Sequence, residues 1–512
     1  MGFGYLLLAV KSEQDNYLIG NPQFTFFKAV YRKHTNFAMD YQFINFLGDT
    51  TNAFGRKLYV DIPKNGDLLH RMYLTIDITN TDVKKIAPLA YNFIEYIDIL
   101  IGGQRIDRHY GEWFAIWHEL MEDSSKSIAL ANMVGVQNNN TTCKTLTIPL
   151  RFWFNNDIGL ALPLIALQYN DIKLEIKFNG KSELDKFTNL VPASTLKITN
   201  IQLIAEYIHL DKEERRLFSS TNHEYLITQV QESLNNSINN FSAKYGIIVG
   251  GVTSVSKKDF ERQRHKIDLR FTYPVKELFW TIQDVVGNMN SGNEYNNTGA
   301  FKYNYWNNYE SGNDQMSMCN LILNGKDLTD ELPANFYRDI QQYQYHNGYG
   351  INFIKGCNGT YPIEVTMTTT TARVFTEGWT VTQGAAVGKV KADVTTDTTV
   401  VVVVTSGTFV QGNIDFDSGT MVNITNITND INIDFAKGTG VYSYSFALNP
   451  KDFQPSGSLN FSKLESCQLK IGLIKATNPP LPNTVNKTIN IYAVNYNVLR
   501  IMSGMAGLAF IN

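Results

Sequence analysis

The chain has 512 residues, of which 18% are charged and 12% are aromatic, and its formal net charge is −3. This length is too great for one ordinary core and favours about three domains, or two large ones if they are all-β. Few charges and many aromatic residues are typical of an ordered, β-rich protein. Because wrapping nucleic acid needs many Lys and Arg contacts with phosphates, we expect no direct, sequence-specific nucleic-acid partner.

The stretch from Gly20 to Asp40 contains the first predicted elements. Asn21 is a candidate helix cap, and Pro22 fits the first turn of a helix. Apolar residues then recur at three- and four-residue steps from 24 to 34, which predicts a short helical turn. From residue 37 the apolar residues alternate instead, which predicts a strand with one apolar face. That face consists of Phe37, Met39, Tyr41 and Phe43.

Further strands and two helices are predicted in the rest of the first half. Alternating apolar residues predict strands at 58–62, 72–78, 93–101, 146–154, 172–178 and 196–208. Gly102 and Gly103 predict a hairpin turn, and 113–121 has the spacing of an amphipathic helix. The charged stretch 211–218 predicts a helical connector at a domain boundary, because its acidic residues precede its basic ones.

The second half repeats the plan of the first. The matched segments are 97–106 with 319–328, 109–121 with 333–346, and 174–176 with 469–471. The first pair is a strand, a two-residue turn and a second strand, the second pair is an aromatic segment that follows, and the third is a later strand. One supersecondary unit therefore occurs twice. Extra residues in the second half coincide with a stretch rich in Thr, Val and Gly at 357–441, which predicts a β-rich insertion. Two β-sandwiches are therefore expected, with their topology left open.

Two regions near the ends of the chain carry recognisable motifs. They read GNPQFTFFKAVYRKHTNFAMD at 20–40, QPSGSLNFSKLESCQLKI at 454–471 and INIYAVNYNVLRIMSGMAGLAF at 489–510. These motifs resemble the signatures of the major capsid proteins of nucleocytoplasmic large DNA viruses, such as phycodnaviruses and mimivirus-like viruses. The residues that carry the resemblance are Asn21, Pro22, Phe24, Phe27, Lys28, Tyr31, Arg32, Thr35, Asn36, Phe37, Gln454, Pro455, Ser456, Gly457, Asn460, Phe461, Ser462, Tyr492, Ala493, Asn495, Tyr496 and Asn497.

The resemblance implies an all-β fold of two tandem eight-stranded jelly rolls, with short helices in loops and the β-rich insertion in the second. The expected domains are an N-terminal arm at 1–23, jelly roll 1 at 24–210, a connector at 211–240 and jelly roll 2 at 241–512. Three chains would form a pseudo-hexagonal trimer, the capsomer, and neighbouring capsomers would tile an icosahedral shell. The implied location is the virion, with assembly in the host cytoplasm or a viral factory.

The resemblance also implies partners for the two ends of the capsomer. The arm would meet minor capsid proteins and the inner viral membrane, and Lys28, Arg32 and Lys33 would suit acidic partners or anionic lipid there. An equally open interpretation is that these three cations match a helix dipole and are simply solvated. The insertion at 357–441 would lie on the outer face and is a candidate site for a host receptor or glycans.

No catalytic, cofactor or metal site is expected. The four cysteines, Cys143, Cys319, Cys357 and Cys467, form no CxxC pair, which favours a reducing compartment. His118 lacks the second histidine that a helical zinc motif needs. The sequence therefore predicts a structural protein rather than an enzyme. The alternatives are a minor or paralogous capsid protein, or a glycan-binding protein or enzyme on tandem jelly rolls, because fold does not fix function.

Overall fold

The computed structural model describes residues 15–79, 89–135, 145–180, 197–242, 247–249, 252–254, 264–285, 314–346, 363–376, 379–383, 386–390, 394–406, 412–416, 420–430, 440–473 and 484–510. Several predictions fall partly or wholly outside these residues. They concern Cys143, Cys357, residues 1–14 of the arm, and residues 357–362 and 431–439 of the insertion.

The first half folds into a sandwich of two antiparallel sheets. Its strands are β1 Phe37–Asn45, β2 Lys57–Asp61, β3 Leu68–Thr79, β4 Ile94–Ile101, β5 Gln104–Tyr110, β6 Thr145–Pro149, β7 Leu162–Pro163, β8 Ile172–Phe178 and β9 Lys197–Leu210. One sheet has the order β1-β9-β3-β6, with β7 beside β3, and the other has the order β2-β8-β4-β5. Most neighbours in each sheet are distant in sequence, which is the arrangement of a jelly roll.

Short helices fill the loops of both halves. They are α1 Asn16–Ile19, α2 Leu89–Phe93, α3 Gly111–Leu120, α4 Ser124–Val134, α5 Trp153–Asn156, α6 Lys212–Ser220 and α7 Gln341–Tyr345, with single turns at Ile158–Leu160, Leu164–Ala166, Phe336–Ile340 and Phe461–Lys463. The predicted helix at 113–121 is confirmed as α3, whose apolar residues are buried except for the half-buried Trp117. In the described part of the chain, no helix is long and apolar enough to cross a bilayer.

The predicted strand at 146–154 is wrong over its second half. β6 ends at Pro149, and α5 begins four residues later. The Asn155 side chain accepts a hydrogen bond from the backbone N–H of Phe152 and so favours a helical turn. The apolar residues of this stretch are buried as the alternation suggested, but the turn rather than a strand directs them inward.

The second half builds a second sandwich with the same plan. Its strands, including those of the insertion, are β10 His223–Ser242, β11 Ile247–Val249, β12 Val252–Ser254, β13 Arg264–Asp268, β14 Pro274–Val285, β15 Met316–Leu323, β16 Lys326–Asp327, β17 Leu332–Pro333, β18 Ile363–Phe375, β19 Thr380–Gln383, β20 Ala386–Val390, β21 Val394–Ser406, β22 Gly412–Phe416, β23 Thr420–Asp430, β24 Tyr442–Ser445, β25 Leu459–Asn460, β26 Cys467–Leu473, β27 Thr484–Met502 and β28 Met505–Leu508.

The two sheets of the second sandwich correspond to those of the first. One has the order β10-β27-β14-β24, with β25 beside β14 and β28 beside β27. The other has the order β13-β26-β15-β16, with β17 beside β15, while β11 and β12 form a separate hairpin. Each strand of the two four-strand paths in the first sandwich has a counterpart at the same place in the second. The predicted double jelly roll is therefore confirmed.

The internal repeat is clearest at the two hairpins. Gly102 and Gly103 join β4 to β5 with φ of 58° and 80°, and Asn324 and Gly325 join β15 to β16 with φ of 47° and 79°. Two successive positive φ angles define the type I′ turn, which suits the twist of two-residue hairpins and favours Asn and Gly. The same local chemistry thus closes the same hairpin in both jelly rolls.

The Thr/Val/Gly-rich insertion is a separate six-stranded barrel. Its closed order is β18-β21-β20-β19-β22-β23, and it lies in the chain between α7 and β24. Its own core includes Met367, Phe375, Val400 and Val402. The valine run in β21 pairs with β18 on one side and β20 on the other. Its backbone is therefore not free to pair with another chain, which is the hazard of an aggregation-prone segment.

The predicted connector at 211–240 contains two elements. α6 occupies its first part, where the Asp211 carboxylate accepts a hydrogen bond from the N–H of Lys212. From His223 onward the chain is β10, which pairs with β27 in the second sandwich. The helical prediction for 211–218 is confirmed.

The helical turn predicted between 22 and 34 is wrong. Helical geometry is confined to Asn16–Ile19, and residues 20–36 form no helix or strand. Asn21 has φ of 51°, which is not the conformation of a helix cap. A short helix is marginal in water unless its apolar face packs on something. Here the apolar side chains Phe24, Phe27 and Tyr31 are all exposed, so nothing in the described part of the chain stabilises the helix.

Candidate functional site

β1 carries an apolar face that the described residues of the chain leave exposed. Phe37, Met39, Tyr41 and Phe43 are 50%, 41%, 56% and 69% exposed, respectively. These four residues, the β1 apolar face, alternate along a strand that lies at the end of its sheet order. Monomeric proteins rarely leave such a contiguous apolar surface in water, so it indicates an interaction site.

The segment before β1 extends this surface. Phe26, Phe27 and Val30 are 88%, 98% and 81% exposed, and Lys28, Arg32 and Lys33 are exposed among them. Because no helix forms here, the match of these cations to a helix dipole is wrong, whereas their exposure agrees with the other part of that interpretation, that they are solvated. The N-terminal signature residues Asn21, Pro22, Phe24, Phe27, Lys28, Tyr31, Arg32, Thr35, Asn36 and Phe37 all lie on this exposed stretch.

The C-terminal signature begins in a loop held by local hydrogen bonds. The Ser456 hydroxyl accepts a hydrogen bond from the N–H of Asn449 at 2.8 Å. The Asn460 side chain accepts one from the N–H of Ser462, whose own hydroxyl accepts one from the N–H of Tyr273. Around them, Gln454 and Pro455 are exposed, Gly457 has φ of 135° and Phe461 is buried. This part of the signature therefore shapes a turn beside β14.

The rest of the C-terminal signature is buried in β27. Tyr492, Ala493, Asn495, Tyr496 and Asn497 are each less than 9% exposed. The amides of Asn495 and Asn497 both donate to the side-chain oxygen of Gln229 in β10. The Gln229 amide in turn donates to the carbonyl of Ile106 in the first jelly roll. These signature residues therefore support the contact between the two jelly rolls rather than an external surface.

Apolar contacts extend the interface between the two jelly rolls, which we call the seam. Trp113 in α3 lies 5.5 Å from Phe279 in β14 and 5.9 Å from Tyr492 in β27, measured between ring centroids. Residues of β10, β14 and β27 belong to the main hydrophobic core of the first jelly roll. Because one core spans both sandwiches, we expect the described jelly rolls to move together.

The C-terminal tail closes the same seam. β28 pairs with β27, and the carbonyl of Ala506 accepts a hydrogen bond from the Asn170 side chain of the first jelly roll. The Tyr169 N–H also donates to the carbonyl of Gly504. The described part of the tail therefore docks on its own chain.

The seam contains polar side chains that no sequence pattern predicted. Glu112, Gln229 and Glu232 each contact a residue far away in the chain, and Glu112 and its partner Tyr492 are 380 residues apart. Neither periodicity nor a local motif reports such a contact. The only sequence signal was the presence of Tyr492 in the C-terminal signature.

The described residues contain no cluster suited to metal or nucleophilic chemistry. No three His, Cys, Asp or Glu residues among them converge as metal ligands. Burial lowers the pKa of His118 to about 3, and its ring packs against Tyr91. Burial raises the pKa of the Cys467 thiol to about 12. A cleft of about 270 Å³ between the jelly rolls is lined by residues of both charges, including Arg151, Lys276 and Asp452.

Family models match most of the chain. The model described as "Major capsid protein N-terminus" matches residues 25–211. The model described as "Large eukaryotic DNA virus major capsid protein" matches residues 214–350 and 435–507. The unmatched stretch between those two ranges contains the six-stranded barrel.

Individual relatives agree with the family models. The chain is 32% identical to the major capsid protein of Pyramimonas orientalis virus and 29% identical to that of Paramecium bursaria Chlorella virus 1, with full coverage of both chains. The solved structure of PBCV-1 VP54 covers 95% of this chain, and all of VP54 is covered, at 25% identity with a TM-score of 0.63. The Faustovirus major capsid protein shares the fold at 10% identity, with a TM-score of 0.57 and coverage of 96% and 94%. The chain therefore belongs to the major capsid proteins of large eukaryotic DNA viruses and is a structural component of the virion shell.

Proposed function

We propose that three copies of the chain associate through the β1 apolar face into a pseudo-hexagonal capsomer. The observation that supports this most directly is the exposure of Phe37, Met39, Tyr41 and Phe43 on an edge strand. Covering those side chains with a neighbouring subunit removes apolar surface from water at about 25 cal/mol per Å². The free edge of β1 also offers backbone groups to a partner.

The internal repeat supports a threefold ring. Each chain contributes two jelly rolls with the same strand order, so three chains present six similar units. A closed ring uses the same head-to-tail contact three times, which cyclic symmetry allows. The shared core between the two jelly rolls favours rigid subunits that tile with neighbouring capsomers, which is the geometric task of a shell protein.

We infer that the arm and the exposed segment that follows it, residues 24–36, act at the inner face of the shell. Exposed aromatic side chains next to Lys28, Arg32 and Lys33 suit the interface of an anionic membrane or an acidic minor capsid protein. The test is co-sedimentation with anionic lipid vesicles, comparing the chain with a variant that carries serine at the three cations. Binding of both proteins to the same extent would count against the membrane role and leave minor capsid proteins as partners.

We also infer that the barrel insertion crowns the outer face of the capsomer. It is a compact unit with its own core, and it interrupts the second jelly roll between α7 and β24. At that position it can contact a host receptor or carry glycans without disturbing the jelly rolls. Deleting 357–441 should leave the oligomer intact and abolish attachment to host cells. Unchanged attachment would refute the receptor role.

The proposed domains keep the arm at 1–23, jelly roll 1 at 24–210 and the insertion at 357–441. The connector, predicted at 211–240, shortens to 211–222 and jelly roll 2, predicted at 241–512, begins at residue 223, because β10 is one of its strands. Assembly is proposed in the host cytoplasm or a viral factory. A minor or paralogous capsid protein of the same fold would differ in its copy number in the particle, which quantitative mass spectrometry of purified virions measures.

The first experiment is the solution mass of the purified chain by light scattering across a dilution series. We expect a species of about three times 58.0 kDa that persists on dilution, because an obligate interface should bury upwards of about 2,000 Å². A folded monomer at every concentration would refute association by the chain alone and shift weight to the minor-capsid alternative.

A further inference from the structure

A buried polar cluster joins the two jelly rolls around one hydroxyl group. The hydroxyl oxygen of Tyr492 in β27 lies 2.8 Å from Oε2 of Glu112 in α3 and 3.0 Å from Oε1 of Glu232 in β10. Glu112 belongs to the first jelly roll, whereas Glu232 and Tyr492 belong to the second. A tyrosine hydroxyl has a single proton, so it can donate to only one of the two carboxyl groups.

The other hydrogen bonds show which carboxyl group receives that proton. Glu112 also accepts hydrogen bonds from the Thr281 hydroxyl at 2.7 Å and from the Asn490 amide at 2.8 Å. It lies in the first turn of α3, where the helix dipole favours a negative charge. Glu112 is thus the acceptor for the Tyr492 proton. The contact between Glu232 and Tyr492 is then a hydrogen bond only if Glu232 itself carries a proton.

The electrostatic surroundings of Glu232 also favour a protonated carboxyl group. Burial raises the pKa of Glu232 to about 8, and the charge of Glu112 contributes in the same direction. Tyr110 and Arg108 act in the opposite direction, as would a hydrogen bond donated by Tyr492 to an ionised Glu232. Arg108 is held by both oxygens of Asp98 at 2.6 and 2.5 Å, so much of its charge is already neutralised. Together with burial, these titratable and charged groups are the main influences on the protonation of Glu232.

We infer that Glu232 is a neutral carboxylic acid that donates its proton to Tyr492, and that losing this proton loosens the contact between the two jelly rolls. After ionisation, two carboxylates would face one hydroxyl proton across a buried seam. Repulsion between the two carboxylates would act close to the packed rings of Trp113 and Tyr492. It would also act near the hydrogen bond from the backbone N–H of Val230 in β10 to the Asp107 carboxylate in β5. The cluster would thus hold the two jelly rolls of each subunit together at neutral pH and weaken their contact at alkaline pH.

The direction of the effect follows from proton linkage. Glu232 holds its proton in the folded chain at pH values where the unfolded chain has released it. Stability is therefore greatest below the ordinary glutamate pKa, falls as the pH rises through about 8, and is level above that. This proposal does not depend on the trimer, because both carboxyl groups belong to the same chain.

The test is hydrogen exchange measured by mass spectrometry on the intact chain, between about pH 6 and about pH 9.5, after correction for intrinsic exchange rates. We expect protection of the β5 and β10 amides to fall by more than about tenfold relative to β3 across this range. In Glu232→Gln, whose amide supplies a permanent donor, protection should stay constant. Glu224→Gln is the matched control, because Glu224 is an exposed residue of the same strand.

Two outcomes would overturn the proposal. One is equal loss of protection in the chain and in Glu232→Gln, and the other is no loss in either protein. Infrared difference spectroscopy of the unsubstituted chain gives an answer even if the variant does not fold. It should show one protonated carboxyl band that disappears with a midpoint near pH 8. Absence of that band at neutral pH would refute the neutral state of Glu232.

Discussion

Replacing Phe43 with serine should weaken subunit association while leaving the folding of each chain almost unchanged. Phe43 lies on the β1 apolar face and is 69% exposed in the single chain. A phenylalanine side chain can bury about 200 Å², so about 140 Å² remains for a neighbour to cover. At about 25 cal/mol per Å², full coverage stabilises each contact by about 3.5 kcal/mol. Losing it should weaken the association at each contact by about 300-fold.

Light scattering across a dilution series measures that loss. We expect Phe43→Ser to dissociate at concentrations where the unsubstituted chain stays trimeric, while its free energy of unfolding as a monomer changes by less than about 0.5 kcal/mol. Val374→Ser is the control, because Val374 is 57% exposed but belongs to the barrel. If Phe43→Ser dissociates no more readily than Val374→Ser, the β1 apolar face is not the subunit contact.

Three further predictions concern folding and reactivity. Gly457→Ala should lower the free energy of unfolding by about 1–3 kcal/mol in denaturant titrations, because φ is 135° and a Cβ atom would lie 2.9 Å from the carbonyl oxygen of Phe446; an unchanged midpoint would show that the loop relaxes. Asn460→Ala should cost about 1 kcal/mol and Asn460→Asp less, since only the aspartate keeps an acceptor for the Ser462 N–H; equal losses would exclude the cap. Because its thiol pKa is near 12, Cys467 should react with a thiol reagent at neutral pH only after denaturation. Modification of Cys467 itself in the native chain, located by peptide mass spectrometry, would contradict this.

Much of the fold was predictable because its signals are local. The alternation in β3 identified Met72, Leu74 and Ile76, all of which are buried. The two-residue turns at Gly102 and Asn324 marked equivalent hairpins, because a type I′ turn needs residues that tolerate positive φ. The barrel was visible as a change in composition. Each of these features depends on residues within a few positions of one another.

The failures share a different cause, which is the environment of a segment rather than its pattern. Residues 24–34 have helical spacing, but no described part of the chain covers their exposed apolar side chains, so the helix does not form. The second half of 146–154 has an alternating pattern, but the Asn155 side chain favours a helical turn. The cluster around Tyr492 depends on contacts between distant elements, and its only sequence signal was the presence of Tyr492 in the C-terminal signature.

β1 shows why alternation alone cannot distinguish a core strand from an assembly strand. Alternation reveals which side chains share a face, but not what covers that face. In β3 the apolar face is covered by the same chain, whereas in β1 Phe43 and its neighbours remain exposed. A shell protein must keep such a face for its neighbours, since subunits that satisfied all their apolar surface internally would have little reason to associate. Substitutions in β3 should therefore impair folding and assembly together, whereas substitutions on the β1 apolar face should impair assembly alone.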